Sequence, residues 1–245
     1  MLLLVDAGNT RVKWAIAEPG AAPGEWIAQG AAAHADLDSL SAAWAGRIVT
    51  RAIVSNVAGD AMRDRLAALL PVAPTWFVSR PELAGLRNRY RDPARLGADR
   101  FAAALGARTL APGKSLVVAT CGTATTVDAV SRDGDFLGGM ILPGLGLMLG
   151  SLARNTAQLP QVDAAQVAEF KLLPPFADNT YEAILSGCIA AQVGAIERAC
   201  ALLPAELCIV SGGAASQLAP ALGVSHVMLD NIVLVGLHAA APFLD

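Results

Sequence analysis

The sequence predicts an α/β fold made of two similar lobes with a ligand cleft between them. Three observations point there. The apolar run 2–5 ends at Asp6, Ala7-Gly8-Asn9 supplies a turn, and Val12, Trp14 and Ile16 then alternate with Arg11, Lys13 and Ala15. That is the pattern of a β-hairpin with Gly-Asn at its tip. About half a chain later the pattern returns, with apolar residues 116–119, the turn Thr120-Cys121-Gly122-Thr123-Ala124 and a second strand over 125–130. Helical and strand patterns alternate in the intervening stretch.

Taken in order, the periodicity predicts helix over 36–47, strand over 51–55, helix over 58–70 and strand over 75–78. An Arg- and Pro-rich loop covers 80–95, and helix resumes over 97–111. After the second hairpin, 138–144 reads as a strand bounded by turn residues. Asn179 or Thr180 is placed to cap the longest helical pattern, 180–203. A strand over 206–210 leads into the glycine turn Ser211-Gly212-Gly213, and 231–241 reads as an apolar helix. Nothing at 112–114 looks like a long linker, so the lobes are expected to be tightly coupled, as 1–112 and 113–245. Two strand–turn–strand hairpins facing one cleft is the arrangement of the acetate kinase, sugar kinase, Hsp70 and actin superfamily, the duplicated actin-like ATPase fold.

Composition narrows the function classes. Of 245 residues, 54% are hydrophobic and only 16% charged, so much surface is buried in a core or against a partner subunit. A net charge of −3 gives no footing for nucleic acid or an anionic membrane, and an anionic substrate needs local positive groups instead. Cys121, Cys188, Cys200 and Cys208 show no CxxC spacing and read as reduced, packed small residues. The start MLLLVD reaches an acid too soon for a signal-peptide core, and the apolar stretch 183–196 is broken by Ser186, Gly187, Gln192 and Gly194. A soluble, cytoplasmic protein with no membrane partner is the expectation.

The candidate chemistry follows from what phosphates require: converging backbone N–H groups unobstructed by side chains, as glycine turns at hairpin tips provide. The segment Asp6-Ala7-Gly8-Asn9-Thr10 adds a carboxylate able to hold Mg²⁺ directly or through water, and Lys13 can place positive charge near a transferred phosphoryl group. The same residues also suit a plain β-turn with Lys13 on a solvated strand. The densest polar stretch, Tyr90 to Arg100, sets Asp99 at the start of a helix, where the dipole favours an ionised carboxylate that can accept a hydroxyl proton. A first-turn acid paired at the surface with Arg100 fits equally. Ser211-Gly212-Gly213 lets backbone pass close to a nucleoside or simply turns strand into helix. His34, His226 and His238 lack metal-ligand spacing, and neither GxxxxGK[ST] nor a strand–GxGxxG–helix is present.

Taken together, six motifs in order resemble the type III pantothenate kinases. They are Asp6-x-Gly8-Asn9-Thr10-x-x-Lys13, Tyr90-x-x-Pro93-x-x-Leu96-Gly97-x-Asp99-Arg100, Gly122-Thr123-Ala124-x-Thr126-x-Asp128, Gly138-Gly139-x-Ile141-x-Pro143-Gly144, Asn179-Thr180 and Ser211-Gly212-Gly213. The resemblance implies ATP-dependent phosphorylation of pantothenate at its primary hydroxyl, with Asp99 as catalytic base. It implies ATP contacts from Asp6, Ala7, Gly8, Asn9, Thr10, Arg11, Val12 and Lys13, and from Gly122, Thr123, Ser211, Gly212 and Gly213. Pantothenate would be lined by Tyr90, Gly97, Ala98, Asp99, Arg100 and Thr180. It further implies Mg²⁺ and a homodimer. Many members bind K⁺ or NH₄⁺ through an Asp two residues before the second hairpin's glycine, where this chain has Thr120. A neutral hydroxyl is the weaker ligand, so little dependence on potassium is expected.

Overall fold

The computed structural model describes residues 1–162, 174 and 176–244. Contacts divide the chain into two compact units: Met1–Gly113 with Gly134–Phe136 and Asn231–Asp245, and Lys114–Asp133 with Leu137–Asp230. The division expected at 112/113 assigned the C-terminal stretch to the second lobe, whereas here it packs in the first unit.

The first unit is built on a sheet ordered β3-β2-β1-β4-β5, from Ala28–Ala33, Arg11–Ala17, Leu2–Ala7, Arg51–Asn56 and Pro74–Phe77. β1 runs antiparallel to β2 and parallel to β4. Alternation along the strands gives each face its partners. Leu3, Val5 and Ala7 of β1 join Val12, Trp14 and Ile16 of β2 in one core, completed by Leu40 and Trp44 of α1 (Ser39–Trp44) and by Met62 and Leu66 of α2 (Asp60–Leu69). Trp14 meets Trp44 edge-on at 6.4 Å. Gly30 on β3 lies across from Trp14, and a methyl group there would sit 2.9 Å from the indole, so the ring needs a glycine beneath it.

The other face meets α3 (Ala98–Leu110) and α7 (Ile232–Ala240). α3 is buried almost all round, from Arg100 to Ala107, as its alanine-rich sequence allows. α7 crosses it at backbone contact: a Cβ on Gly236 would overlap the carbonyl of Ala102, and one on Gly106 would lie 2.7 Å from the carbonyl of Ile232. The last part of the chain therefore clamps the helix that begins with Asp99. The loop expected over 80–95 contains a small ribbon, β6 (Glu82–Leu83) with β7 (Leu86–Asn88), and β7 pairs in parallel with Asp135 and Phe136.

In the second unit β8 (Leu116–Cys121) and β9 (Ala124–Val130) form the second hairpin. The order β10-β9-β8-β11-β12, with β10 Asp135–Pro143, β11 Leu207–Ser211 and β12 His226–Met228, repeats the connectivity of the first sheet strand for strand. The duplication read from two similar hairpins is thus a duplication of sheet topology. Val117, Ala119 and Val127 pack on α4 (Leu145–Asn155) and α5 (Thr180–Leu202), and the short α6 (Ala215–Leu218) after β11 adds Ala215 and Leu218 to the same core. Asn179 caps α5, its side-chain oxygen accepting the Glu182 N–H at 3.0 Å. At 23 residues α5 is long and apolar enough by composition to cross a bilayer, yet it is a core helix here. Its buried Gln192 donates to the Pro143 carbonyl at 2.6 Å.

Candidate active site

Asp6 occupies the next-to-last position of β1, opposite Lys13 on β2 and in register with Ser55 on β4. The three side chains share the sheet face that looks toward α3 and α7. Asp6 as a residue is half-buried, but its Oδ1 is removed from solvent and has no hydrogen-bond partner, and the same holds for the Ser55 hydroxyl. Burial, then the negative charge of Asp99, push the Asp6 carboxyl up from 3.8 to about 7, with Lys13 pulling the other way. The fold therefore brings Asp6, Lys13 and Asp99 within electrostatic range of one another. Uncompensated buried carboxylates are costly, and they cluster where a ligand or a reaction uses them.

Asp99 stands in the first turn of α3. Its Oδ1 accepts the Arg100 N–H at 2.8 Å, folding the carboxylate back over the helix start. Gly97 makes this possible, since a Cβ there would lie 2.7 Å from that oxygen. Desolvation raises the Asp99 pKa, outweighing the lowering by the Arg100 N–H and guanidinium. The dipole argument alone would favour the charged form; burial wins. Arg100 is no surface partner either, being 6% exposed. It donates to the Tyr90 hydroxyl at 2.9 Å, with its guanidinium 5.7 Å from the Tyr90 ring and 5.8 Å from that of Phe136. Tyr90 is held by Asn88, whose Oδ1 accepts the Tyr90 N–H while its Nδ2 donates to Ser79 and to the Pro93 carbonyl. A cavity of about 170 Å³, with Asn56, Arg63, Trp76, Leu96 and Ala98 in its walls, adjoins this segment.

The tips of the two hairpins are each closed by a glycine amide, over four residues in the first and three in the second. Gly8 N–H closes the first turn on the Arg11 carbonyl at 3.1 Å, and Gly122 N–H closes the second on Ala124 at 3.1 Å. The glycine amides themselves therefore face inward, each spent within its own turn. In the second unit Gly122 and Thr123 are exposed, and two glycine turns press against their hairpin. Gly144 N–H donates to the Thr123 carbonyl at 2.9 Å, and a Cβ on Gly144 would overlap the Gly122 carbonyl. Gly212, at φ +99°, leaves no room for a Cβ beside the Cys121 carbonyl, which accepts the Ala214 N–H at 3.0 Å. Ser211, Gly212 and Gly213 are thus gathered with Gly122 and Thr123. Thr120 lies in register with Ser211 and Thr126, so its neighbours there are hydroxyls. Thr180 opens α5, exposed, beside an apolar cavity of about 430 Å³ lined in part by Met148, Leu152 and Ile184.

Of the expected residues, Asp6 to Lys13, Tyr90 and Gly97 to Arg100 come together in the first unit, and the two glycine turns come together in the second. Ser55, Asn88 and His34, which bonds the Gly8 carbonyl, were not foreseen. Only buried polarity on β4 hinted at Ser55, and the sequence carries no local signal for the other two.

The family model for type III pantothenate kinase matches residues 2–202. A type III pantothenate kinase from Janthinobacterium sp. (strain Marseille) is 55% identical over 258 residues, covering 98% of this chain and 97% of the relative. The chain belongs to the type III pantothenate kinase family. Similar folds among solved structures include a Campylobacter jejuni protein assigned to the Baf family of transcriptional activators, at TM-score 0.62 and 19% identity with 98% of each chain covered. Another, assigned as a 2-dehydro-3-deoxygalactonokinase from Sinorhizobium meliloti, has TM-score 0.58 and 19% identity with 99% of each chain covered. At such identities they speak for the fold alone, the actin-like ATPase fold shared with sugar kinases.

Proposed function

We propose that this chain transfers the γ-phosphoryl group of ATP to the primary hydroxyl of pantothenate, the first step toward coenzyme A. The observation that carries the proposal is Asp99, a carboxylate of raised pKa held at the start of α3 within range of Asp6, in a chain of this family. Asp99 accepts the hydroxyl proton as the oxygen attacks in line, and its upward shift brings its proton affinity nearer to neutral pH, where a general base works best. Lys13 offsets charge on the transferred group. Amides of the two hairpin tips bind phosphate oxygens, and Ser211, Gly212 and Gly213 let backbone approach the nucleoside. Most of the rate enhancement then comes from positioning and electrostatics.

Mg²⁺ fits the residues present. The Asp6 Oδ1 is a buried, unpartnered hard oxygen, and Mg²⁺ characteristically takes one or two carboxylates and completes its shell with phosphate and water. Asp6 would hold the ion directly or through water. When bound, it neutralises charge on the phosphate oxygens. Tyr90, Gly97, Ala98, Arg100 and Thr180 line pantothenate, with the buried Arg100 guanidinium as the main donor.

Thr120, ringed by the hydroxyls of Ser211 and Thr126, makes a weak cation site, so replacing K⁺ by a bulky organic cation should leave turnover nearly unchanged. A large loss would restore the monovalent requirement. The enzyme works in the cytoplasm as a homodimer, a state suited to the exposed face of small residues on α5, Ala183, Gly187, Ala190 and Gly194. Phosphorus NMR of the product tests the reaction: coupling of the new phosphate to the methylene of the primary alcohol is expected. Phosphorylation only of a sugar or a short acid in an acceptor panel would reassign the substrate.

A further inference from the structure

The first hairpin differs from the second in how its carbonyls are held. In the second, backbone N–H groups of Gly144 and Ala214 take the carbonyls of Thr123 and Cys121. In the first, the Gly8 carbonyl is taken by a side chain: His34 Nε2 lies 2.9 Å from it. A carbonyl only accepts, so Nε2 carries the proton. His34 is half-buried just past the end of β3, and its own carbonyl accepts from Arg65 of α2 at 3.2 Å. Arg65 also reaches Asp38 at 3.5 Å. The backbone that carries the imidazole is therefore tied to α2.

The consequence lies on the far side of the same peptide. In a trans peptide the C=O of one residue and the N–H of the next point in opposite directions. Fixing the Gly8 carbonyl on His34 turns the Asn9 N–H away from it, at an exposed tip where the Gly8 N–H is already spent on Arg11. We propose that His34 is a positioning residue for nucleotide binding: it locks the Gly8–Asn9 peptide so that the Asn9 amide faces the ATP phosphates. This rests on the assignment of the first hairpin as a phosphate site. His34 touches neither substrate.

The test compares His34→Leu, of similar size without a donor, with His34→Gln, whose amide nitrogen reaches the Nε2 position. Each is titrated calorimetrically with a non-hydrolysable ATP analogue and Mg²⁺, alongside steady-state kinetics. His34→Leu should weaken the analogue and raise KM for ATP roughly tenfold, about the worth of one well-placed hydrogen bond. KM for pantothenate and the melting temperature should hardly move, and His34→Gln should recover most of the affinity. Wild-type affinity in His34→Leu overturns the proposal. So does a loss shared equally by both substrates that His34→Gln fails to rescue. If the Leu variant does not fold, His34→Asn replaces it, its shorter amide falling short of Gly8; equal affinities for the Asn and Gln variants then overturn the proposal. Wild-type protein that binds the analogue without phosphorylating pantothenate overturns the assigned reaction and leaves the His34 contrast to be read from affinity. Wild-type protein that binds no nucleotide overturns both.

Discussion

At the scale of single residues, the candidate site is marked by two half-buried carboxylates whose desolvation raises their proton affinity. Asp6 is the clearest case. Its pKa is 3.8 in an unfolded chain and about 7 in the fold, so the folded chain holds the proton more tightly. Stability of the metal-free protein should therefore fall as pH rises between those values and level off beyond them. Asp6→Asn removes the penalty, so the variant should be more stable than wild type above pH 7, with the gap closing below pH 3.8. Urea denaturation across that range checks this, and a constant gap would contradict the buried charge. Asp99 depends on its neighbour two residues back. A methyl group at Gly97 would lie 2.7 Å from the Asp99 carboxylate, so Gly97→Ala should lower kcat roughly 10- to 100-fold by displacing the base. The melting temperature should change little, because α3 stays packed on α7 and buried from Arg100 to Ala107. Unchanged kcat would mean that the carboxylate has freedom the geometry denies it.

At the scale of elements, α3 carries Asp99 in its first turn and α7 packs against it. α7 comes from the far end of the chain, and its Gly236 lies directly against the Ala102 carbonyl of α3. Gly236→Ala must push the helices apart. The expected cost is about 1–3 kcal/mol of stability from overpacking, together with a fall in kcat as the start of α3 shifts. Differential scanning calorimetry and a turnover assay on the same preparation check the two effects. Loss of stability with full kcat would show that α7 supports the fold without positioning the base. The hairpins, α3 and α5 were legible because each carries local punctuation: Gly8-Asn9 and Gly122-Thr123 at the tips, Gly97 before α3, the Asn179 cap on α5. Other elements carry none. β3 is Ala-Gln-Gly-Ala-Ala-Ala, without a β-branched residue, and its glycine answers to Trp14 across the sheet. α4 holds Gly146 and Gly150 inside an apolar run, so it read as undifferentiated core. β6, β7 and β12 are two or three residues long and owe their existence to neighbours.

At the scale of the whole molecule, one connectivity used twice explains the sequence pattern. A sheet that runs β3-β2-β1-β4-β5 in the first unit runs β10-β9-β8-β11-β12 in the second, and each copy opens on a hairpin with a glycine-closed tip. The copies then diverge. Only the first carries an acid at the Asp6 position; the corresponding position in the second hairpin holds Thr120. The first hairpin therefore sets a carboxylate opposite Lys13, whereas the matching position of the second sets a hydroxyl opposite Thr126. The fold class was readable from motifs, and the candidate site residues could be proposed from them, because hairpin tips and helix starts are local. The return of residues 231–244 to the first unit was not, since packing against α3 leaves no trace in the spacing of either segment.

The measurement that bears most directly on this account is pantothenate-dependent ADP release by wild type and by Asp99→Asn. The variant is nearly isosteric but has no carboxylate to take the proton. Wild type should turn over with ATP, Mg²⁺ and pantothenate, and the variant should lose roughly 10²–10⁴ in kcat while KM for both substrates changes far less. Near-normal turnover in the variant would remove Asp99 from the reaction and, with it, the chemistry assigned to the buried carboxylates.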